Sequence, residues 1–237
     1  MEEINESLFI FSIYEKKENE EALLNAFNID GEKLILRAKG YQKEQSKNRL
    51  IFEPMSFIKT EYFDTLGKTK LLKRGEKILF TNKQSKQIIF IKEIIYELFK
   101  NEEKINSNII KLIYYLFNKY NNGFEIENYL FALLVLFLKD KGIYFELNKC
   151  KNCGNKYDLD YLLLHKGGVF CNKCYFNEES KIDYEFLLKV KMLFNIKSIK
   201  NINELNFNPK EEMILKEILK NYYENELGYF LKNLRNI

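Results

Sequence analysis

The chain has 237 residues and a formal net charge of +4, with 46% hydrophobic residues, 20 Phe and 16 Tyr against two Pro. Such a chain can bury a real core, which excludes disorder and low complexity. Its longest apolar run, Tyr129 to Leu138, is half the roughly 20 residues of a membrane span, so it reads as a buried helix of a soluble protein. The first residues, Met1-Glu2-Glu3, are acidic, unlike a secretory leader, which points to a reducing cytoplasmic compartment. Residues 1–30 carry eight acids against Lys16 and Lys17, a balance of −6, so residues 31–237 carry +10. A basic body with an acidic leading edge permits polyanion binding. The wealth of Lys, Asn, Ile, Phe and Tyr reads as AT-rich coding, so lysine number alone carries little weight.

From Ser7 to Thr81 the pattern is that of short strands and polar turns. The predicted strands are Leu8 to Tyr14, Ala22 to Asn28, Lys33 to Tyr41, a segment around Phe57 to Tyr62 that alternates with period two, and Leu71 to Phe80. Asn28-Ile29-Asp30-Gly31 supplies a turn. Five strands in so short a stretch suit an oligonucleotide-binding (OB) barrel over residues 1–81, although strand number also admits other small barrels.

Between the third and fourth strands lie Arg37, Lys39, Lys43, Lys47 and Arg49 against one acid, in a segment expected to be an exposed loop. These cations are the candidate phosphate contacts, with Tyr41 as a face for stacking a base. A second set, Lys68, Lys70, Lys73, Arg74 and Lys77, ranks behind them; the plain alternative is a solvated lysine-rich face. Gly67-Lys68-Thr69 resembles the end of a phosphate-binding P-loop, but Tyr62 stands where that motif needs glycine.

After Asn82 the apolar period becomes helical. Ile91, Ile94, Ile95 and Leu98 form one face, and Ile109, Leu112, Ile113 and Leu116 another, with Ser107 as expected N-cap. Ile126 to Lys139 is apolar nearly all round and is expected to be the central helix of an α-helical domain spanning 82–237, ended by Gly142. Helices resume near Asp183. Asn208, Pro209 and Glu211 form a capping-box start for the last helix, whose expected buried stripe is Leu215, Ile218, Leu219 and Tyr222, with Gly228 breaking the final segment.

Between these helices sit all four cysteines, Cys150-x-x-Cys153 and Cys171-x-x-Cys174, in a loop of about 146–180. Two such knuckles offer four thiolates to one tetrahedral Zn²⁺, and a shell closed by sulfur leaves no position for water or substrate. One structural zinc is therefore expected. The alternatives are two disulfides or four unrelated thiols, and a reducing compartment disfavours the former. His165, the only histidine, reads as a loop residue rather than a ligand.

Lys39-Gly40-x-x-Lys43-x-x-Ser46, Glu53-Pro54-x-x-Phe57, Tyr96-Glu97-Leu98-Phe99, Gly123, the Cys-x-x-Cys-Gly knuckle and the tail Tyr222-Tyr223-x-x-x-Leu227-Gly228-x-x-Leu231-Lys232 together resemble the RecO family of bacterial DNA repair proteins. The likeness runs nearly end to end. It departs at Asn233, where a serine is usual, and after Ser46, where Lys47-Asn48-Arg49 replaces a denser basic run. The resemblance implies an α+β chain: an N-terminal OB barrel, then a helical domain with an embedded four-cysteine zinc site. It also implies a non-catalytic recombination mediator, nucleoid-associated in the cytoplasm, that binds single- and double-stranded DNA and anneals strands. Its implied partners are RecR and the acidic tail of single-strand-binding protein (SSB), in the loading of RecA; no membrane or small-molecule substrate is involved.

Three rival readings make different demands. A zinc deaminase needs an open metal position and a His-x-Glu pair, whereas Lys166 and Gly167 follow His165. A zinc-ribbon RNA-binding protein of transcription or translation would use the same ribbon and basic strands. A structural adaptor would carry its lysines as solvating groups only.

Overall fold

The computed structural model describes residues 2–16, 20–65, 67–81, 85–177, 181–196, 198–231 and 233–237. Lys17 of the charge balance and Lys232 of the tail motif lie outside these residues, as do 82–84 and 178–180 at two of the expected boundaries. The chain divides into two compact units, Met1–Ile126 and Glu127–Ile237.

The first unit contains strands β1 (Glu3–Lys16), β2 (Glu21–Asn28) and β3 (Lys33–Ala38), a short helix α1 (Lys47–Ile51), strands β4 (Ser56–Phe63) and β5 (Thr69–Leu79), and helices α2 (Lys86–Phe99) and α3 (Ser107–Asn121). β1 pairs antiparallel with both β2 and β4, β2 with β3, and β4 with β5, while β3 and β5 run parallel. Each strand thus has two hydrogen-bonded neighbours, and the five-stranded sheet closes on itself. Leu8, Ile10, Leu24, Leu36, Ile58 and Leu72 fill its interior.

The sheet's other face is covered where it meets the two helices. Phe9 and Phe27 pack against Phe99 of α2, and Phe57 against Tyr114 and Phe117 of α3, with ring centroids 5.2 to 6.4 Å apart. Burial on both faces explains why Leu8 to Phe11 is a continuous apolar run rather than an alternating one. The β2–β3 turn is fastened to the α2–α3 connection. Gly31, at φ +84°, accepts from Ile105 N at 2.9 Å, and a Cβ there would lie 1.8 Å from the Ile105 carbonyl oxygen. Only glycine fits that approach.

The expected strands are present with shifted ends. β3 stops at Ala38 rather than Tyr41, because Gly40 turns the chain at φ +64°. Asn106, not Ser107, caps α3, its side chain accepting from Asn108 N at 2.9 Å.

The second unit comprises α4 (Glu127–Asp140), a hairpin of β6 (Tyr161–Leu163) and β7 (Gly168–Phe170), α5 (Tyr184–Phe194) and α6 (Pro209–Glu226). α4 is buried on nearly every side, with Tyr129 to Val135, Phe137 and Leu138 all in the core. Gly142 takes φ +73° just after it, and Ile143 N reaches back to Leu138 O at 3.0 Å. The capping box of α6 is present: Asn208 Oδ1 accepts from Glu211 N at 3.0 Å, and Glu211 Oε2 from Asn208 N at 2.7 Å. Its buried stripe is Glu211, Leu215, Leu219 and Tyr223, while Ile218 and the expected Tyr222 are only half-buried. Tyr223 enters the core because its hydroxyl has a partner there, the Leu134 carbonyl of α4 at 2.6 Å. Among the described residues, no helix is long and apolar enough to cross a membrane.

Candidate nucleic-acid interface and metal centre

The basic segment begins on β3. Leu36 and Ala38 point into the closed sheet, so Arg37 between them lies on the outer face, half-buried. The chain then runs through turns, with Lys43 N donating to Gly40 O at 3.3 Å and Ser46 N to Lys43 O at 2.9 Å, and enters α1. This is a correction to the expected plain loop: Lys47 and Arg49 project from a helical turn. Lys39, Lys43, Lys47 and Arg49 are exposed. Among the described residues, Arg37, Lys39, Lys47 and Arg49 have no carboxylate partner, and Lys43 has only Glu20, at 3.9 Å with both groups well solvated.

Tyr41 is a second correction. It is 6% exposed, part of the sheet's interior cluster, and its hydroxyl donates to Phe52 O at 3.1 Å. Burial, aided by the Glu15 charge, holds its phenol above the ordinary value. Tyr41 therefore pins the basic segment to the core and has no face to offer a base.

The second basic set differs from the first in its partners. Lys70 bonds Asp64 and, at 3.1 Å, the Thr65 carbonyl; Lys73 meets Glu3 at 2.7 Å and Glu61 at 3.6 Å. Arg74 bonds Glu61, holding that carboxyl below the usual range, and Lys77 meets Glu53 at 3.1 Å. Only Lys68 of this set is exposed without an acid among the described residues. The acids come from β1, β4 and the segments beside β4, so the neutralisation depends on strand register: Glu61 stands opposite Arg74 only once β4 and β5 are paired.

In the second unit the β6–β7 hairpin gathers the two knuckles. Lys151 N donates to Val169 O at 2.8 Å, which brings the first knuckle to the strand that leads into the second. Gly168 makes this possible, since a Cβ there would lie 2.1 Å from the Glu146 carbonyl oxygen. The four sulfur atoms of Cys150, Cys153, Cys171 and Cys174 all lie within 4.8 Å of one another, and Cys153 and Cys171 are 3.7 Å apart. Tetrahedral Zn²⁺ with Zn–S bonds of about 2.3 Å requires about 3.8 Å between sulfurs, so the donor set fits.

The thiols also show what a cation would relieve. Burial raises Cys150, but backbone hydrogen bonds from Cys153, Cys171 and Asn152 outweigh it and bring the thiol to about 6. Cys174 moves the other way, to about 12: an Asn152 side-chain hydrogen bond lowers it, and the neighbouring thiols together with burial outweigh that. Four thiolates this close cannot all ionise without a positive charge among them. His165 stands apart, exposed on the turn between β6 and β7.

A family model described as the C-terminal part of recombination protein O matches residues 88–235. The chain belongs to the RecO family. It is 26% identical over 226 residues to the DNA repair protein RecO of Mesoplasma florum, covering 90% of this chain and 82% of that one. The RecO of Bacillus pumilus is 23% identical over 133 residues, covering 56% and 52%. That of Bacillus subtilis is 25% identical over 216 residues, covering 86% and 82%. The family model covers the chain from the first turn of α2 to past α6, with all four cysteines, and the two longer alignments, at 90% and 86% of the chain, necessarily extend into the strands before it.

Proposed function

We propose that this RecO-family chain is a non-catalytic DNA-binding mediator of repair and recombination, acting in the cytoplasm at the nucleoid. The closed five-stranded sheet is an OB-type barrel, and its strongest phosphate contacts are Arg37, Lys39, Lys43, Lys47 and Arg49. What carries this reading is that, among the described residues, four of these cations have no carboxylate partner and Lys43 has only the solvated Glu20 at 3.9 Å, unlike most of the second set. Solvated cations with no fixed partner can exchange counterions with phosphates regardless of base sequence, as strand annealing requires. Lys70, Lys73 and Arg74 first have to leave Asp64, Glu3 and Glu61, and so contribute less; Lys68 does not.

The cysteine cluster holds one structural zinc that fixes the ribbon and takes no part in chemistry. RecR and the acidic tail of SSB are the protein partners, and RecA loading the outcome. The groove of about 730 Å³ between the β6–β7 hairpin and α6 offers Ile182, Ile214, Ile218 and Tyr222 to the apolar end of that tail. Lys181 and His165 lie on its rim; Glu226 opposes an acidic ligand, whereas Glu217 is paired with Arg235.

The deciding experiment is annealing of complementary SSB-coated strands, with and without RecR, by the unaltered chain and by a Lys39→Glu/Lys43→Glu/Lys47→Glu variant. Stimulation by the unaltered chain and its loss in the variant are expected. The logarithm of affinity should fall with that of salt at roughly −0.7 per neutralised phosphate on single strands. A salt-independent affinity, or an undiminished variant, removes the electrostatic account. Stimulation of RNA annealing in preference to DNA would favour the RNA-binding alternative.

A further inference from the structure

Burying Tyr41 leaves the DNA-binding reading without an aromatic, and strand register supplies another. Tyr14 on β1 stands opposite Leu23 of β2, Leu23 opposite Arg37 of β3, and Arg37 opposite Leu71 of β5. Residues directly opposite share a face. The alternate positions Ala22, Leu24, Leu36, Ala38 and Leu72 fill the interior, so this row lies on the outer surface.

Along the row exposure changes in a telling order. Tyr14 is 63% exposed, and Leu23, Arg37 and Leu71 are half-buried. Arg37, in the middle, has no carboxylate partner among the described residues, like Lys39, Lys47 and Arg49 of the same basic set. The basic segment is tied to this end of β1: Gln42 Nε2 donates to Glu15 Oε2 at 3.1 Å, beside Tyr14, and Gln42 N to Glu20 O at 3.3 Å. The nearby acids are partly occupied, Glu15 by Gln42, while Glu21 stands opposite Lys16.

We propose that Tyr14, Leu23 and Arg37 form a stacking platform for unpaired bases of single-stranded nucleic acid, with the phosphates led along Lys39, Lys43 and Lys47. This rests on the DNA-binding reading above and adds strand selectivity to it. A flat aromatic face, with a guanidinium two strands along on the same face, takes any base, because every base has a π-face, but it takes only bases freed from pairing.

The chain contains no tryptophan, so Tyr14→Trp installs a single fluorescent reporter, with Tyr96→Trp on α2 as a control outside the row. An oligothymidylate should quench the indole emission of the Tyr14→Trp variant in step with binding measured by anisotropy. A duplex of equal length should bind that variant without quenching, and the Tyr96→Trp control should stay unquenched by either. Tyr14→Ala should weaken single-strand binding by roughly 5- to 100-fold and duplex binding by less than about twofold, and Tyr14→Phe should retain both. With binding intact in the unaltered chain, unquenched emission from the Tyr14→Trp variant or an undiminished Tyr14→Ala affinity overturns the platform alone. No binding by the unaltered chain overturns both the platform and the function on which it rests.

Discussion

Tyr41 shows how a single side chain decides what its neighbours can do. Its ring fills the interior of the sheet, and its hydroxyl satisfies the carbonyl of Phe52, just past α1. The cations on either side are consequently held outward by an anchor of the opposite character. Tyr41→Phe is expected to cost about 1 kcal/mol, the value of one net hydrogen bond, and Tyr41→Ala about 3 to 5 kcal/mol through the cavity it leaves. Urea unfolding checks both. A Tyr41→Ala variant as stable as the unaltered chain would contradict the anchoring role. The polar, cationic segment around it reads in sequence as an exposed loop, with Tyr41 offering a face for a base; the turn at Gly40, with its positive φ, instead directs the next residue inward.

The elements differ in what terminates and holds them. α6 begins with a reciprocal cap, and Glu211 also receives both hydrogen bonds of Lys189 from α5, at 2.7 and 2.8 Å, while itself only 5% exposed. Glu211→Ala removes the cap and strands Lys189. The expected loss is about 2 to 3 kcal/mol, below the 3 to 5 of a fully buried pair because Lys189 keeps some contact with water. A thermal melt reads it, and Asn208→Ala, losing the cap alone, should cost about 1 kcal/mol. The hairpin depends on a different restraint. Its two strands are three residues each, too few to persist unaided, so stripping the proposed metal from the four cysteines with a chelator should open 146–177 to hydrogen exchange while β1 to β5 keep their protection. Protection in the cysteine segment that is the same with and without chelator would mean that the hairpin needs no metal to fold.

At the scale of the molecule, the first unit extends well beyond its last strand. Phe9, Phe27 and Phe57 use Phe99, Tyr114 and Phe117 as their cover, so a fragment ending at residue 81 would present that cluster to water. A fragment of residues 1–126 is expected to fold cooperatively and to bind DNA, and one of residues 1–81 to aggregate or remain unfolded. Circular dichroism and denaturant titration of the two distinguish these outcomes. A stably folded 1–81 fragment would place the domain boundary where the change from strand to helix periodicity suggests it.

Much of this protein is local enough to be read directly. Period two against period 3.6, the two cysteine knuckles, and the Asn208, Pro209 and Glu211 start of α6 each depend on residues within a few positions of one another, and each is present in the fold. The electrostatics and the inside of the sheet were settled elsewhere. Lys73 is neutralised by Glu3 across 70 residues, Arg74 by Glu61 through strand register, and Tyr41 is drawn inward by a space that five strands create together. Charge and burial depend on distance through space, and sequence spacing reports that distance only within a single helix or strand.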